Sequence, residues 1–202
     1  MKVIRLRGRD TVYSSNVYLV LGTSNKKEDL NTLVDVGPDA FILSEVWTLS
    51  TGVGKLPIEQ VVVTHNKSNH AAGLPSIRAA FEPKVFAGQM DHGVDQAVAD
   101  GDWIRMGDRE FEVLHVPEQS SDSICLLCHE EGILFSGDAL LSIRQTGGTH
   151  SPRYIAFLEN LIAMKIKQVY PGHGDPISCG IQEMLSESLH NATGRIAAYE
   201  WA

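Results

Sequence analysis

Residues 61–74, VVVTHNKSNHAAGL, change character midway. The first four are β-branched, a class that packs well on a pleated sheet. The last few suit the opening of a helix. Between them lie His65, Asn66, Lys67, Ser68, Asn69 and His70. Two imidazoles just past a strand end suggest a metal site, since neutral histidine is a common ligand and loops at strand ends carry much of the chemistry of folds. Lys67 between them works against that, because an ammonium repels a cation.

Outward from this stretch the chain alternates strands and helices. Towards the N-terminus, KVIRLRG (2–8) and NVYLVLG (16–22) read as successive strands around a polar connection, and NTLVDVG (31–37) as a short apolar strand ending at Asp35. Pro38 can open a helix through residues 39–50. Past the opening stretch, residues 70–81 read as a helix bent near Pro75, PKVFAG (83–88) as a strand and 89–100 as a short helix. Four strand-like runs follow: 102–107, 109–116, 123–131 and 132–140. Residues 151–164 form a helix capped by Ser151 with Pro152 in its first turn, KQVYPGHG (167–174) is a last strand, and 181–201 is an amphipathic helix. Several strands followed by strand–helix alternation, twice over, predict an α/β fold of two sheets packed face to face with helices outside, a four-layer αββα sandwich. No repeat or linker interrupts residues 1–202, which read as a single domain.

A formal charge of −8 over 202 residues argues against a nucleic-acid backbone as partner and favours a small-molecule substrate or ligand. No run approaches the roughly 18 apolar residues of a membrane span, and the N-terminus lacks the apolar stretch of a secretion signal, so the expected location is cytoplasmic with no membrane partner. A homo-oligomer is compatible with all of this. Cys125 and Cys128 form a C-x-x-C, but within a strand residues three apart face opposite ways, so they read as packing and not as a zinc or redox knuckle.

Residues able to ligate metal recur at four strand ends: His65 and His70, Gln119, Asp138, and His173. Strand ends at one edge of a sheet converge, and the glycines and small residues beside them permit close approach. In order, LVDVG, THNKSNHAAGL, HVPEQSSDSI, FSGDAL and YPGHG resemble the signature segments of the metallo-β-lactamase superfamily, over nearly the whole chain. The resemblance implies the αββα fold and a site at one edge of both sheets. It also implies two metal positions. The first corresponds to His65, Lys67 and Gln119, of which only the histidine is a good ligand, so that position reads as lost. The second corresponds to Asn69, His70, Asp138 and His173, which keeps two imidazoles and a carboxylate. Asp35 then falls where a residue would orient the His65 loop, and His115 beside the site.

The implied function is a hydrolase with one divalent metal, zinc first, with iron or manganese compatible with two histidines and an aspartate. Metal-activated water would attack an ester, thioester, lactone or related small substrate. Lys67 and Asp138 are the candidate catalytic residues, with His65 and Gln119 on substrate or water. Three roles for Lys67 stay open: stabilising developing negative charge, pairing with Asp138 so that no metal binds, or pointing to solvent. The second role leads to the alternative, a metal-free, catalytically inactive member of the fold that binds a small ligand or a protein partner. His150, on a glycine-rich loop, could hang over the site.

Overall fold

Alternation along single strands sorts neighbouring side chains into different cores. In strand β4 (Gln60–Val63), Val61 and Val63 join one apolar cluster and Val62 another. In β2 (Val17–Leu21), Leu19 and Leu21 divide in the same way from Tyr18 and Val20. In β9 (Ile124–Cys128), Cys125 and Leu127 face away from Ile124, Leu126 and Cys128. A strand buried on both faces needs a layer on each side, which is why these runs are continuously apolar. The two cysteines of the C-x-x-C accordingly lie in separate cores as free thiols.

The computed structural model describes residues 1–6, 14–38, 40–146 and 148–194. One sheet has the order β1-β2-β3-β4-β5-β6, with β1 (Lys2–Leu6), β3 (Thr32–Val34), β5 (Lys84–Ala87) and β6 (Gln96–Ala97). Its first three strands pair antiparallel and the rest parallel. The other has the order β11-β10-β9-β8-β7, with β7 (Trp103–Met106), β8 (Arg109–His115), β10 (Ile133–Gly137) and β11 (Gln168–Pro171). Only β10 and β11 are parallel there.

Parallel neighbours need crossovers, and helices supply them. Helices α1 (Ile42–Val46), α2 (Ser68–Ala71) and α3 (Leu74–Phe81) connect strands of the first sheet and cover its outer face. Helices α4 (Pro152–Ala163) and α5 (Ile181–Thr193) cover the second. Between the sheets lies a core rich in rings, with Phe135 at 5.6 Å from Tyr18, 5.8 Å from Phe111 and 5.1 Å from Tyr170 between centroids. The four-layer αββα arrangement expected from the sequence is therefore present. Among the described residues no helix is long and apolar enough to cross a membrane.

Topology aims the chemistry. Strands β3 and β4 run parallel, as do β10 and β11, and β8 shares the direction of β10 through two antiparallel steps. Asp35, His65, Asp138, His173 and the loop of Gln119 thus follow the C-terminal ends of strands. The Ile124 amide donates to the Thr64 carbonyl at 2.9 Å and stitches the two sheets together at that edge.

Local expectations differ from the structure in two places. Residues 89–100 form turns and the short edge strand β6, not a helix. Gly93 adopts φ +88°, and Asp95 accepts from the Val85 amide at 2.8 Å, which draws the segment alongside β5. The helix expected over 70–81 divides into α2 and α3 at Ala72–Gly73, with Pro75 in the first turn of α3. Expected structure at residues 7–13 and beyond 194 lies outside the described residues. Removing the shared ring in Phe135→Ala should cost about 3–5 kcal/mol, read as a lowered denaturation midpoint with unchanged slope.

Candidate metal centre

The site is built on Asp35, a buried carboxylate held at φ +58° at the end of β3. Its oxygens accept from the Thr64 amide at 2.8 Å, from the Thr64 hydroxyl at 2.9 Å and from His70 Nδ1 at 2.8 Å. Because Thr64 gives its hydroxyl proton to Asp35, the 3.3 Å contact between Thr64 Oγ1 and His65 Nδ1 is donated by the ring. In the neutral form both imidazoles therefore carry their proton on Nδ1 and offer Nε2, the form that binds metal. The His70 carbonyl accepts from the amides of Val36 at 2.9 Å and Gly37 at 3.1 Å, which fixes the backbone as well.

Asp138, just past β10, receives these rings on its two edges. His70 Nε2 lies 3.2 Å and His173 Nε2 3.5 Å from Oδ1, while His65 Nε2 lies 3.2 Å and Lys67 Nζ 3.8 Å from Oδ2. His65 Nε2, His70 Nε2 and Asp138 Oδ1 are buried without a hydrogen-bond partner. Lone pairs of two imidazoles aimed at a carboxylate are mutually repulsive unless positive charge sits between them. The ligand atoms of His65, His70 and Asp138 all lie within 4.8 Å of one another. Ligands about 2.1 Å from a tetrahedral ion sit roughly 3.4 Å apart, so these three residues fit a small divalent cation.

Electrostatics agree with the geometry. Burial pushes the His70 pKa down, but the charge of Asp35, its hydrogen bond and the nearby Asp138 carboxylate override it and raise the value to about 9. Burial pushes the Asp138 carboxyl up, yet the close approach of the His65 and His70 rings holds it far below the usual carboxylate range. A proton on His70 thus supplies, in the metal-free protein, the positive charge that a cation would otherwise bring.

The other residues singled out from the sequence divide clearly. Lys67, with its side chain 51% exposed, donates to Gln119 Oε1 at 3.5 Å and leans towards Asp138, pointing neither wholly to solvent nor into a tight ion pair. Gln119 Nε2 donates to the Asp138 carbonyl at 3.1 Å. The Asn69 amide bonds His173 Nε2 at 3.0 Å and so takes up the lone pair that His173 would offer a metal. His115 ends β8 as an exposed residue whose amide bonds Asp100, and no contact joins its ring to the Asp138 group. His150 pairs with Glu118 at 2.9 Å and stacks on Tyr154.

Several positioning residues escaped the sequence reading. Asn16 donates to the carbonyls of Pro171 and Gly174, both at 2.8 Å, and its own amide donates to the Gly172 carbonyl at 2.7 Å. The Tyr18 hydroxyl also donates to the Pro171 carbonyl at 2.8 Å. Together they clamp the His173 loop to the first sheet. Gly172 is required by space: a Cβ there would lie 2.7 Å from Asp138 Oδ1 and 2.8 Å from His70 Cε1. The glycine after YP was visible in the sequence, but its closeness to Asp138 depends on a register between distant strands.

The model of the metallo-beta-lactamase superfamily matches residues 10–104. An atrochrysone carboxyl ACP thioesterase of Cryptosporiopsis sp. (strain 8999) is 24% identical over 86% of this chain and 54% of its own length. A probable hydroxyacylglutathione hydrolase of Schizosaccharomyces pombe is 27% identical over 69% of this chain and 59% of its own. The chain thus spans between half and three-fifths of the length of these relatives. The structure of ETHE1 from Myxococcus xanthus superposes with a TM-score of 0.71 at 23% identity, covering 96% of this chain and 85% of that one. The chain therefore shares the metallo-β-lactamase fold and is similar in sequence to that superfamily over residues 10–104.

Two measurements follow from the site. Because the His70 pKa is raised, its stabilising effect on metal-free protein is complete below about pH 6.5 and is lost as pH rises through about 9. The melting temperature of chelator-treated protein should fall across that window, and His70→Ala should flatten the fall. Gly172→Ala should leave circular dichroism intact but displace Asp138 and lower zinc affinity by at least tenfold in a competition titration with a chromogenic chelator.

Proposed function

We propose that this chain is a metal-dependent hydrolase that holds one divalent cation, zinc first, at His65, His70 and Asp138, and cleaves an ester or thioester. The observation that carries this reading is the convergence of three buried, unpartnered ligand atoms on one point. The thioesterase and hydrolase relatives support the bond type. Compared with the assignment from the sequence, His65 moves into the ligand set. His173 becomes a fourth ligand only when Asn69 releases its Nε2, and Asn69 acts as that ring's partner.

Held by His65, His70 and Asp138, a divalent cation would supply Lewis acidity and lower the pKa of water at the site. The protein's own groups do the rest. Asp35 and Thr64 keep both ring protons on Nδ1, so that neither ring rotates away. Lys67, on the outer edge of Asp138, stands where it can donate to an oxyanion forming on the substrate carbonyl. In the net reaction the carbonyl carbon gains the hydroxyl of water, the carbon–sulfur or carbon–oxygen bond breaks, and the leaving group takes the remaining proton. Gln119 holds the Asp138 backbone and the ammonium of Lys67 in register.

A second reading has its own observation. Lys67 at 3.8 Å and a protonated His70 can between them balance Asp138 without metal, leaving a metal-free pocket for a small ligand. Metal analysis separates the two. The hydrolase takes up about one equivalent of zinc, with a rise in melting temperature that vanishes in His65→Ala and Asp138→Ala. Lys67→Met should tighten zinc binding by removing a like charge while lowering kcat by roughly 10- to 100-fold on a simple thioester. Protein that takes up no zinc and shows no thermal shift with it is the metal-free binder.

A further inference from the structure

Asp138 and His173 form one end of a groove of about 320 Å³ that runs away from Lys67 along the second sheet. Its walls include Leu140 and Leu141 on the loop after β10, Pro171 on β11, Ile177, and Met184 on α5. Apart from Asp138 and His173, no lining side chain carries a charge. Leu140 stands 54% exposed on its rim, although Tyr154 bonds the Leu140 carbonyl and holds that loop in place. The cavity on the Lys67 side has a similar volume of about 320 Å³ but different chemistry, with Asp91, Asp122 and His92 among its lining residues. Asp138 therefore belongs to the apolar groove, while Lys67 borders a cavity of mixed lining that carries charged side chains.

We infer that the groove beside His173 is the acyl pocket, and that the substrate carries an uncharged, apolar acyl group of medium length. The groove continues into the reacting centre, so an occupant must present a polar, cleavable end to Asp138 and an apolar tail to Leu140 and Met184. At roughly 30 Å³ per non-hydrogen atom its volume admits on the order of ten such atoms. The leaving group then falls on the Lys67 side, where polar atoms find Asn66, Ser120 and the two carboxylates. Met184 and Ile177 set the length of chain accepted. This inference rests on the hydrolase reading for the cleavable bond, while the groove itself can be probed without catalysis.

Protein labelled with 13C at the methionine methyls is titrated with 1-octanol and, separately, ethanol. The Met184 methyl should shift saturably with octanol only, and Leu140→Asp, at an exposed position, should weaken that binding about tenfold. With zinc-loaded protein, kcat/KM for octanoyl-N-acetylcysteamine should exceed that for the acetyl thioester, by up to roughly fourfold per buried methylene. Met184→Trp should abolish the preference, bringing kcat/KM for the octanoyl thioester down to that for the acetyl thioester, because the groove is filled. Thioester hydrolysis with no chain-length preference and a silent Met184 overturns the pocket and leaves the hydrolase standing. A Met184 shift with octanol but no hydrolysis of any thioester keeps an apolar ligand site and removes the hydrolase. A Met184 signal that follows protein concentration instead overturns the proposal in favour of a contact between copies of the chain.

Discussion

A carboxylate set against two imidazole nitrogens has to be met by positive charge, and this molecule is arranged around that requirement at Asp138. The field of Asp35 and the contacts with Asp138 make His70 a strong proton acceptor despite burial. Asp35 in turn sits in a left-handed backbone conformation that turns its side chain under the His65–His70 loop. Both carboxylates come from the first residues past a strand, so the parallel register of β3 with β4 and of β10 with β11 sets their separation. A slip of one residue in either pair would turn a ligand to the opposite face.

Much of this was legible in the sequence because it is written in local pattern. Valine-rich runs gave the buried strands, and ligand-type residues at their ends gave the edge where chemistry would collect. Asp35, His65, His70, Asp138 and His173 were all singled out, and the structure brings them within hydrogen-bond or ion-pair distance of one another. The division of labour among them was not legible. That Asn69 occupies His173 while His65 stays unpartnered depends on side-chain direction across two sheets, which no spacing encodes. Asn16 and Tyr18 were passed over for the same reason: they read as the start of an ordinary strand, yet their partners lie more than 150 residues away. The helix expected at 89–100 failed because Asp95 prefers the Val85 amide to any helical partner.

Lys67 is the residue where pattern and physics pull hardest against each other. An ammonium in a metal loop looks disabling, and beside a full pair of cations it would be. The carboxylate of Asp138 has two edges, however, and Lys67 approaches the one farther from His70 and His173. Its side chain is half in solvent, where water screens much of the repulsion it would exert on a cation. Gln119 restrains it by accepting a hydrogen bond, and anchors itself on the Asp138 backbone. Lys67 and Gln119 therefore act together as one device, a tethered positive charge beside Asp138. On the hydrolase reading proposed above, that pairing keeps one positive charge beside Asp138 without placing it among the ligand atoms of His65 and His70.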